Sequence, residues 1–596
     1  MKMVTTVLLA VCLTWTMEAS ARPKTRSRRH ANGMGRAMAR RVPAMVGRHP
    51  RMIRTAGHSA IDPRVDGALR QELTRNVRGL RIAGEPAPYF LAVAWVRNTI
   101  WGLYATLGHL MSPDKTRRMA RVYSAVRVGS MDRDNTNYYG HFGPALSVRA
   151  VPFEVNGLAI RRGLHLAFDS AYRRAIGYYA AKQAYLRNHP GAQKTADWTK
   201  EKGRSQSVSG AIGPFAVQGG KAAVLAASAV FRSHPKIQQS SVSLYVIKTE
   251  QLTRTSEGVR LGRVGREGHL KLRALTQATD GRNVGMSDDQ RLVPGQVLDR
   301  SKAVERAKRL AELVERLAVA PKVKENYTGP VLFEDQGAGM TLLGVLGVHL
   351  SSNPPPVTWN RRSLFEKMLG RPILARSVSV IDDPGLSRYK GKMLAGHQTL
   401  DDEGIVSKRV VLVKAGRLMT FLSSRRPSVD VKRSNGHGRA LTRSLSIVAA
   451  PTNLVVRVRR SLSRSGLMRR YLAAVRHAGL DHGYVVTRVR RPSLFGIGRS
   501  RGQMVTLPSP QLVYRVDLNG KRTLVRGVRL DPIQAADLKD IVLFGGPEQV
   551  HNVWLGMGRG ISIRCRNFVL PRASVTPRTD HPTRLPMLPS PLTLVH

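Results

Sequence analysis

A chain of 596 residues is too long for one hydrophobic core, which rarely serves more than about 250–300 residues. Its 42% hydrophobic and 23% charged residues exclude a natively disordered chain. Against 39 Asp and Glu stand 97 Lys and Arg, a net charge of +58, so anionic lipid, acidic polymer and nucleic acid are candidate partners. The excess is spread along the whole length, and no zinc-finger spacing or RNP-type aromatic motif argues for specific nucleic-acid reading.

Lys2, the apolar run from Met3 to Met17 and Ala19-Ser20-Ala21 read as a signal peptide over residues 1–21, cut near Ala21. The mature protein is then extracytoplasmic, in the periplasm. Cys12 lies within this segment, which leaves Cys565 as a single thiol with no disulfide partner. Residues 22–60 carry eleven Lys or Arg, no Asp or Glu and little apolar periodicity. They read as a basic disordered linker able to contact an anionic surface.

From Val65 to Arg81, Leu69, Leu73, Val77 and Leu80 recur at spacings of three and four, the stripe of an amphipathic helix. Strands follow at 89–96 and 123–128, with hairpin chemistry at 99–107. A helix spans 159–187 and stops at Asn188-His189-Pro190, residues 191–222 read as a loop, and another helix spans 301–318. Beyond Tyr327 the pattern changes to short strands such as 409–413 and 454–458 between Gly and Pro turns. The expected fold class is therefore α+β: a mixed α/β N-terminal domain over 61–320, a β-rich C-terminal domain over 321–570 and a Pro-rich tail over 571–596. No later run reaches the roughly 18–20 apolar residues of a membrane-spanning helix.

The C-terminal stretches carry a resemblance. Tyr327 to Gln336, Leu350-Ser-Ser-Asn-Pro354, Ser379-Val-Ile-Asp-Asp-Pro384, Leu400-Asp-Asp-Glu-Gly404, Asn435-Gly-His-Gly438 and Pro451-Thr-Asn-Leu454 follow one another in the order seen in the TldD/PmbA family, the metallopeptidase-like modulators of DNA gyrase. Peptidase members of that family carry H-E-x-x-x-H on a helix, two histidines for zinc and a glutamate that activates the metal-bound water. On this chain the motif falls on Phe333-Glu334-Asp335-Gln336-Gly337-Ala338. Both histidine positions thus hold residues without a lone pair, and zinc is not expected as a cofactor.

Glu334 keeps the general-base position; as a plain structural residue it would be a helix N-terminal acid. Asp382, Asp383, Asp401, Asp402 and Glu403 are concentrated carboxylates in an acid-poor chain, and with Asn435 and His437 they are the residues the resemblance places along the cleft. Their plainer reading is turn and strand-edge carboxylates paired with arginine. The resemblance further implies a homodimer, or a heterodimer with a TldD-like paralogue, that handles unfolded peptides, with this chain as the non-catalytic, PmbA-like subunit. Two other readings stay open: an active metal-dependent peptidase with an atypical site around Glu334, and a basic binding protein for anionic envelope polymer or nucleic acid.

Overall fold

The computed structural model describes residues 52–54 and 61–594, apart from 139–142, 210–218, 293–297, 360–363, 441–444, 494–502, 557–558 and 580–589. The expected signal peptide, nearly all of the basic linker and much of the Pro-rich tail fall outside the described residues.

The N-terminal half is one eight-stranded sheet with helices packed on it. In chain order its elements are β1 (Met52–Arg54), α1 (Pro63–Gly79), β2 (Pro88–Thr106), β3 (His109–Val128), β4 (Ala145–Val151), α2 (Gly157–Asn188), β5 (Ser205–Ser209), α3 (Gly220–Ala229), β6 (Gln239–Thr255), β7 (Arg260–Gln277), β8 (Asn283–Leu292) and α4 (Arg300–Val319). The strand order is β1-β5-β7-β6-β2-β3-β4, with β8 also paired to β7. β1 lies inside the segment expected to be disordered and runs parallel to β5, Met52 opposite Ser205.

Helix α1 begins where Asp62 accepts a hydrogen bond from the Arg64 amide at 2.9 Å and Pro63 pre-sets the first turn. Its buried stripe is Val65, Ala68, Leu69, Glu72, Leu73 and Asn76. Val77, expected on that stripe, is exposed, because the 3.6-residue period carries the inner face from Leu69 and Leu73 on to Asn76. Helix α2 is capped by Asn156, whose side chain accepts from the Ala159 amide. It places Leu164, Phe168 and Tyr172 against Leu91, Val93, Trp95 and Val122 of the sheet. Helices α3 and α4 cover the sheet's other half, with Val224, Ala307 and Val314 against Leu244, Leu270 and Leu272. Each fully buried Leu or Val among these contributes about 1.5–3 kcal/mol.

The two strands expected at 89–96 and 123–128 are the inner ends of a much longer ribbon. β2 and β3 pair from Pro88 opposite Val128 out to Thr106 opposite His109. The reversal takes only Leu107 and Gly108, both at positive φ, as a tight hairpin turn requires. The ribbon extends this far because β2 is also paired with β6 along most of its length, so its backbone is satisfied on both edges.

The C-terminal half is built on an eleven-stranded sheet. Its centre is β9 (Tyr327–Phe333), flanked by the parallel strand His482–Val489 and the antiparallel strand Arg559–Pro577. Helix α5 (Asp335–Leu342) leaves the end of β9, strand β10 (Val378–Asp382) pairs with Asn453–Val458, and α6 (Arg464–His477) covers the opposite face. Alternation along β9 sends Val331 and Phe333 into the large core shared with α5, and Leu332 toward Leu467, Tyr471 and Val475 of α6.

The expected tail from Pro571 begins inside the sheet: residues 571–577 complete the last strand and pair with Val528–Leu530 and β9. Pro571 falls where the register shifts between Leu570 and Ala573, a bulge at which its missing N–H costs no ladder bond. Among the described residues, no helix is long and apolar enough to cross a membrane.

Candidate functional site

Glu334 sits at the junction of β9 and α5, its amide bonded to the Val486 carbonyl at 3.0 Å. Its side chain is buried, and its carboxylate is clamped: Arg522 donates from Nη1 to Oε2 at 2.8 Å and from Nη2 to Oε1 at 3.2 Å. The Arg464 guanidinium lies 3.7 Å from the same carboxylate and 3.6 Å from Asp335. Asp335 follows at a φ of +49°. Its amide donates to Asn567 Oδ1 at 3.0 Å and its carboxylate accepts from Gln549 at 2.8 Å. Gln336 docks on the end of the neighbouring strand, exchanging two hydrogen bonds with the Val489 backbone.

Phe333 and Ala338, the two positions where the resemblance would place histidines, belong to the core. Phe333 stacks on Phe568 with ring centroids 4.9 Å apart and planes 7° from parallel, and Ala338 is buried. Gly337 and Gly339 are required by close approach. A Cβ at 337 would stand 2.4 Å from the Val486 carbonyl oxygen, and one at 339 would stand 2.2 Å from the His551 ring. Burial of His551 pushes its pKa down against the pull of Asp335, so the imidazole beside α5 favours its neutral form.

These residues do not fit zinc. Phe333 and Ala338 offer no donor atom, Glu334 is committed to two guanidinium groups, and among the described residues no three His, Cys, Asp or Glu side chains converge as metal ligands. His349 is buried on the core side, where burial pushes it down to about 4. Cys565 is a buried strand residue whose thiol burial pushes up to about 12.

Most of the remaining candidate residues meet in a second place, a buried polar network. His437 Nε2 lies 3.0 Å from Asp382 Oδ1, and its Nδ1 lies 2.9 Å from Asn435 Oδ1, so both ring nitrogens face oxygen. Asp382 also accepts from the Thr452 amide and hydroxyl. Asp401 accepts from the amides of Glu403, Ile405 and Gly438 at 2.8–2.9 Å, tying the 400–406 turn to the strand after His437. Asp402 meets Arg263 at 2.7 Å, Arg559, and the Ala440 amide at 2.7 Å. Glu403 accepts from the Arg425 amide at 2.8 Å. Asp383 stands apart at a turn, bonded to the Gly385 amide and 3.4 Å from Arg409.

The electrostatics of the three consecutive carboxyls diverge. Against the cost of burial, Arg559 and Arg263 hold Asp402 below its ordinary range. Burial pushes Asp401 up to about 6, and burial together with the Asp401 charge pushes Glu403 up to about 8. The network also fastens the halves together. Arg425 reaches Glu257 and the Thr199 carbonyl in the N-terminal half, Arg263 belongs to β7, and Arg204 donates its amide to the Gly404 carbonyl at 2.7 Å. A buried charge set of this kind is paired rather than open.

Sequence reasoning missed the basic members, Arg263, Arg425 and Arg559, and the neighbouring pairs Arg127–Asp134 at 2.6 Å and Lys182–Asp197 at 2.5 Å. Among so many arginines the buried ones carry no local signal. Their acidic partners are the only clue.

Residues 326–502 match the family described as the PmbA/TldA metallopeptidase C-terminal domain. Among solved structures, the chain is similar to a protein from Thermotoga maritima described as a candidate modulator of a DNA gyrase (14% identity, 86% of this chain and 100% of that chain, TM-score 0.51). It is similar to one of the same description from Bacteroides thetaiotaomicron (13%, 86% and 98%, TM-score 0.54) and to TldE from Thermococcus kodakarensis (12%, 86% and 100%, TM-score 0.51). No curated protein matches the sequence. The chain thus has the α+β fold of these structures over 86% of its length. More particularly, residues 326–502 carry the PmbA/TldA metallopeptidase C-terminal domain by sequence match.

Proposed function

We propose that this chain is a non-catalytic, PmbA-like subunit, a pseudo-peptidase that handles unfolded peptides outside the cytoplasm beside a TldD-like paralogue. The observation that carries the reading is the clamp on Glu334. A glutamate that accepts two hydrogen bonds from Arg522, between core residues that offer a metal no donor atom, is held as the ionised partner of a guanidinium, which lowers its basicity toward a water proton. Export rests on the apolar run and the Ala19-Ser20-Ala21 site, and surface attachment on the basic segment 22–60.

The experiment is purification of the full chain from its native host, with metal analysis, N-terminal sequencing and identification of co-purifying chains. The reading expects no stoichiometric zinc, a mature start at Arg22 and a TldD-like partner. Zinc near one equivalent per chain, with chelator-sensitive peptide cleavage, would replace it with the active-peptidase reading.

A further inference from the structure

The side of the C-terminal sheet that α6 covers carries a face of arginines without acids. Between Asp430 and Asp481 the sequence has eleven Lys or Arg and no Asp or Glu. Helix α6 turns Leu467, Tyr471, Leu472 and Val475 inward and leaves Arg469, Arg470 and Arg476 exposed. Arg459 and Arg460 are exposed in the turn that leads into its N-terminal end. We propose that this face docks the protein on an anionic lipid bilayer, at the level of the headgroups.

The backbone puts these arginines on one side. Leu454 and Val456 enter the core away from α6, so alternation along the strand Asn453–Val458 turns Arg457 to the α6 side, where it too is exposed. On the helix, positions 469 and 476 return to one face about 10 Å apart along an axis of roughly 20 Å. Positions three and four residues from Arg469 and Arg470 hold no acid, so this helix lacks the ion pairs that steady other surface helices. On α2 and α4 such pairs are present, Arg173 with Asp169 at 3.1 Å and Arg309 with Glu305 at 2.8 Å. Among the described residues, Arg457, Arg459, Arg460, Arg469 and Arg470 meet no carboxylate. Arg464 turns instead to Glu334 and Asp335, and the acids at the far end, Asp481 and Asp517, are paired with Arg515.

The form of the face selects the partner. Arg469, Arg470 and Arg476 stand on the convex, outward side of a helix, which meets a surface rather than enclosing a polymer strand. Among the described residues no large apolar side chain is exposed between Met419 and Val542, and Tyr471, the aromatic residue of α6, is buried. The face therefore has no wedge for the acyl layer and no platform on which bases would stack. It is a set of cations complementary to a negative leaflet, where each near-surface arginine raises affinity about fivefold. The face is separate from segment 22–60 and goes beyond the peptide-handling reading, whose failure would leave it standing.

The test is co-sedimentation of the protein, purified from its host, with vesicles of phosphatidylcholine alone or with about one third phosphatidylglycerol, at about 0.15 M salt. The native protein should bind the anionic vesicles, leave the neutral ones, and be released by higher salt. Arg469→Gln with Arg470→Gln should weaken binding about tenfold or more at unchanged melting temperature. Lys308→Gln with Arg316→Gln removes the same charge from exposed positions of α4. It should cost no more than about twofold, because screening confines the attraction to charges at the contact. Arg469→Lys with Arg470→Lys keeps the charge and should bind as the native protein does. Equal loss in the α4 variant, loss in the lysine variant, full binding by the Arg469→Gln, Arg470→Gln protein, or equal binding to both kinds of vesicle or to neither overturns the proposal. So does a short DNA duplex that binds through Arg469 and Arg470 and displaces the vesicles, since the partner would then be a nucleic acid.

Discussion

Arg522 and Glu334, 188 positions apart in the chain, are joined by two parallel hydrogen bonds of 2.8 and 3.2 Å. The Glu334 side chain is 2% exposed and that of Arg522 33%, so the pair lies at the boundary between a buried and a screened ion pair. Removing the cation alone leaves a buried carboxylate with only the more distant Arg464 for compensation. Arg522→Met should therefore cost on the order of 1–3 kcal/mol, less than a fully buried pair because its cationic end reaches solvent. The double variant Glu334→Gln with Arg522→Met should recover most of that loss. Urea unfolding midpoints decide it: an Arg522→Met protein as stable as the native one would mean that the clamp does not hold the junction of β9 and α5.

Phe333→His with Ala338→His places imidazoles at both positions where the resemblance would put zinc ligands. Phe333 is fully buried against Phe568, so the double variant should lose about 2–4 kcal/mol of stability by disrupting that packing. A further ligand and the supporting hydrogen bonds are also missing. Metal analysis and a peptide-cleavage assay should find at most weak zinc and no full peptidase activity. Full activity would show that the rest of a working site is intact.

The raised carboxyls make stability depend on pH in a stated direction. Burial lifts Glu403 from 4.5 to about 8 and Asp401 from 3.8 to about 6. The folded chain then binds more protons than the unfolded chain between the ordinary and the raised values. Stability from these groups is full below about pH 4 and is lost as pH rises toward 8. Asp402, held low by Arg559 and Arg263, acts in the opposite sense but only at acid pH. Glu403→Gln should accordingly flatten the fall in melting temperature between pH 5 and 8 and make the protein more stable than native at the upper end. A native protein whose melting temperature rises over that window, with no change in the variant, would contradict the buried network.

Cys565 lies in the strand Arg559–Pro577 at 1% exposure, and burial pushes its thiol up to about 12. A buried, protonated thiol is a poor nucleophile. Thiol reagents at neutral pH should leave it unlabelled in the folded protein and label it only as fast as the chain unfolds, which mass spectrometry across a denaturant series would follow. Rapid labelling under native conditions would show that this strand opens locally.

Much of this molecule was legible in one dimension. Helices α2 and α4 announce themselves by 3.6-residue periodicity and by the stops and caps at their ends, and the change to short strands after Tyr327 marks the second half. Asp382, Asp401, Asp402, Glu403, Asn435 and His437 also stand out one by one, as acids in an acid-poor chain or as members of segments that follow a family's order, but nothing in the sequence says that they meet. Other features left no local trace. The length of the β2–β3 ribbon was decided by β6 pairing along β2, and the strand through Pro571 by a bulge that spares the ladder. The separation of Glu334 from the Asp382–His437 network, and the choice of Arg522, Arg263 and Arg559 from so many arginines as the buried partners, belong to the tertiary structure alone. Periodicity reports on neighbours two to four residues apart; a salt bridge across 188 positions is selected only when two strands and a helix close around it and exclude the water that would otherwise screen every arginine alike.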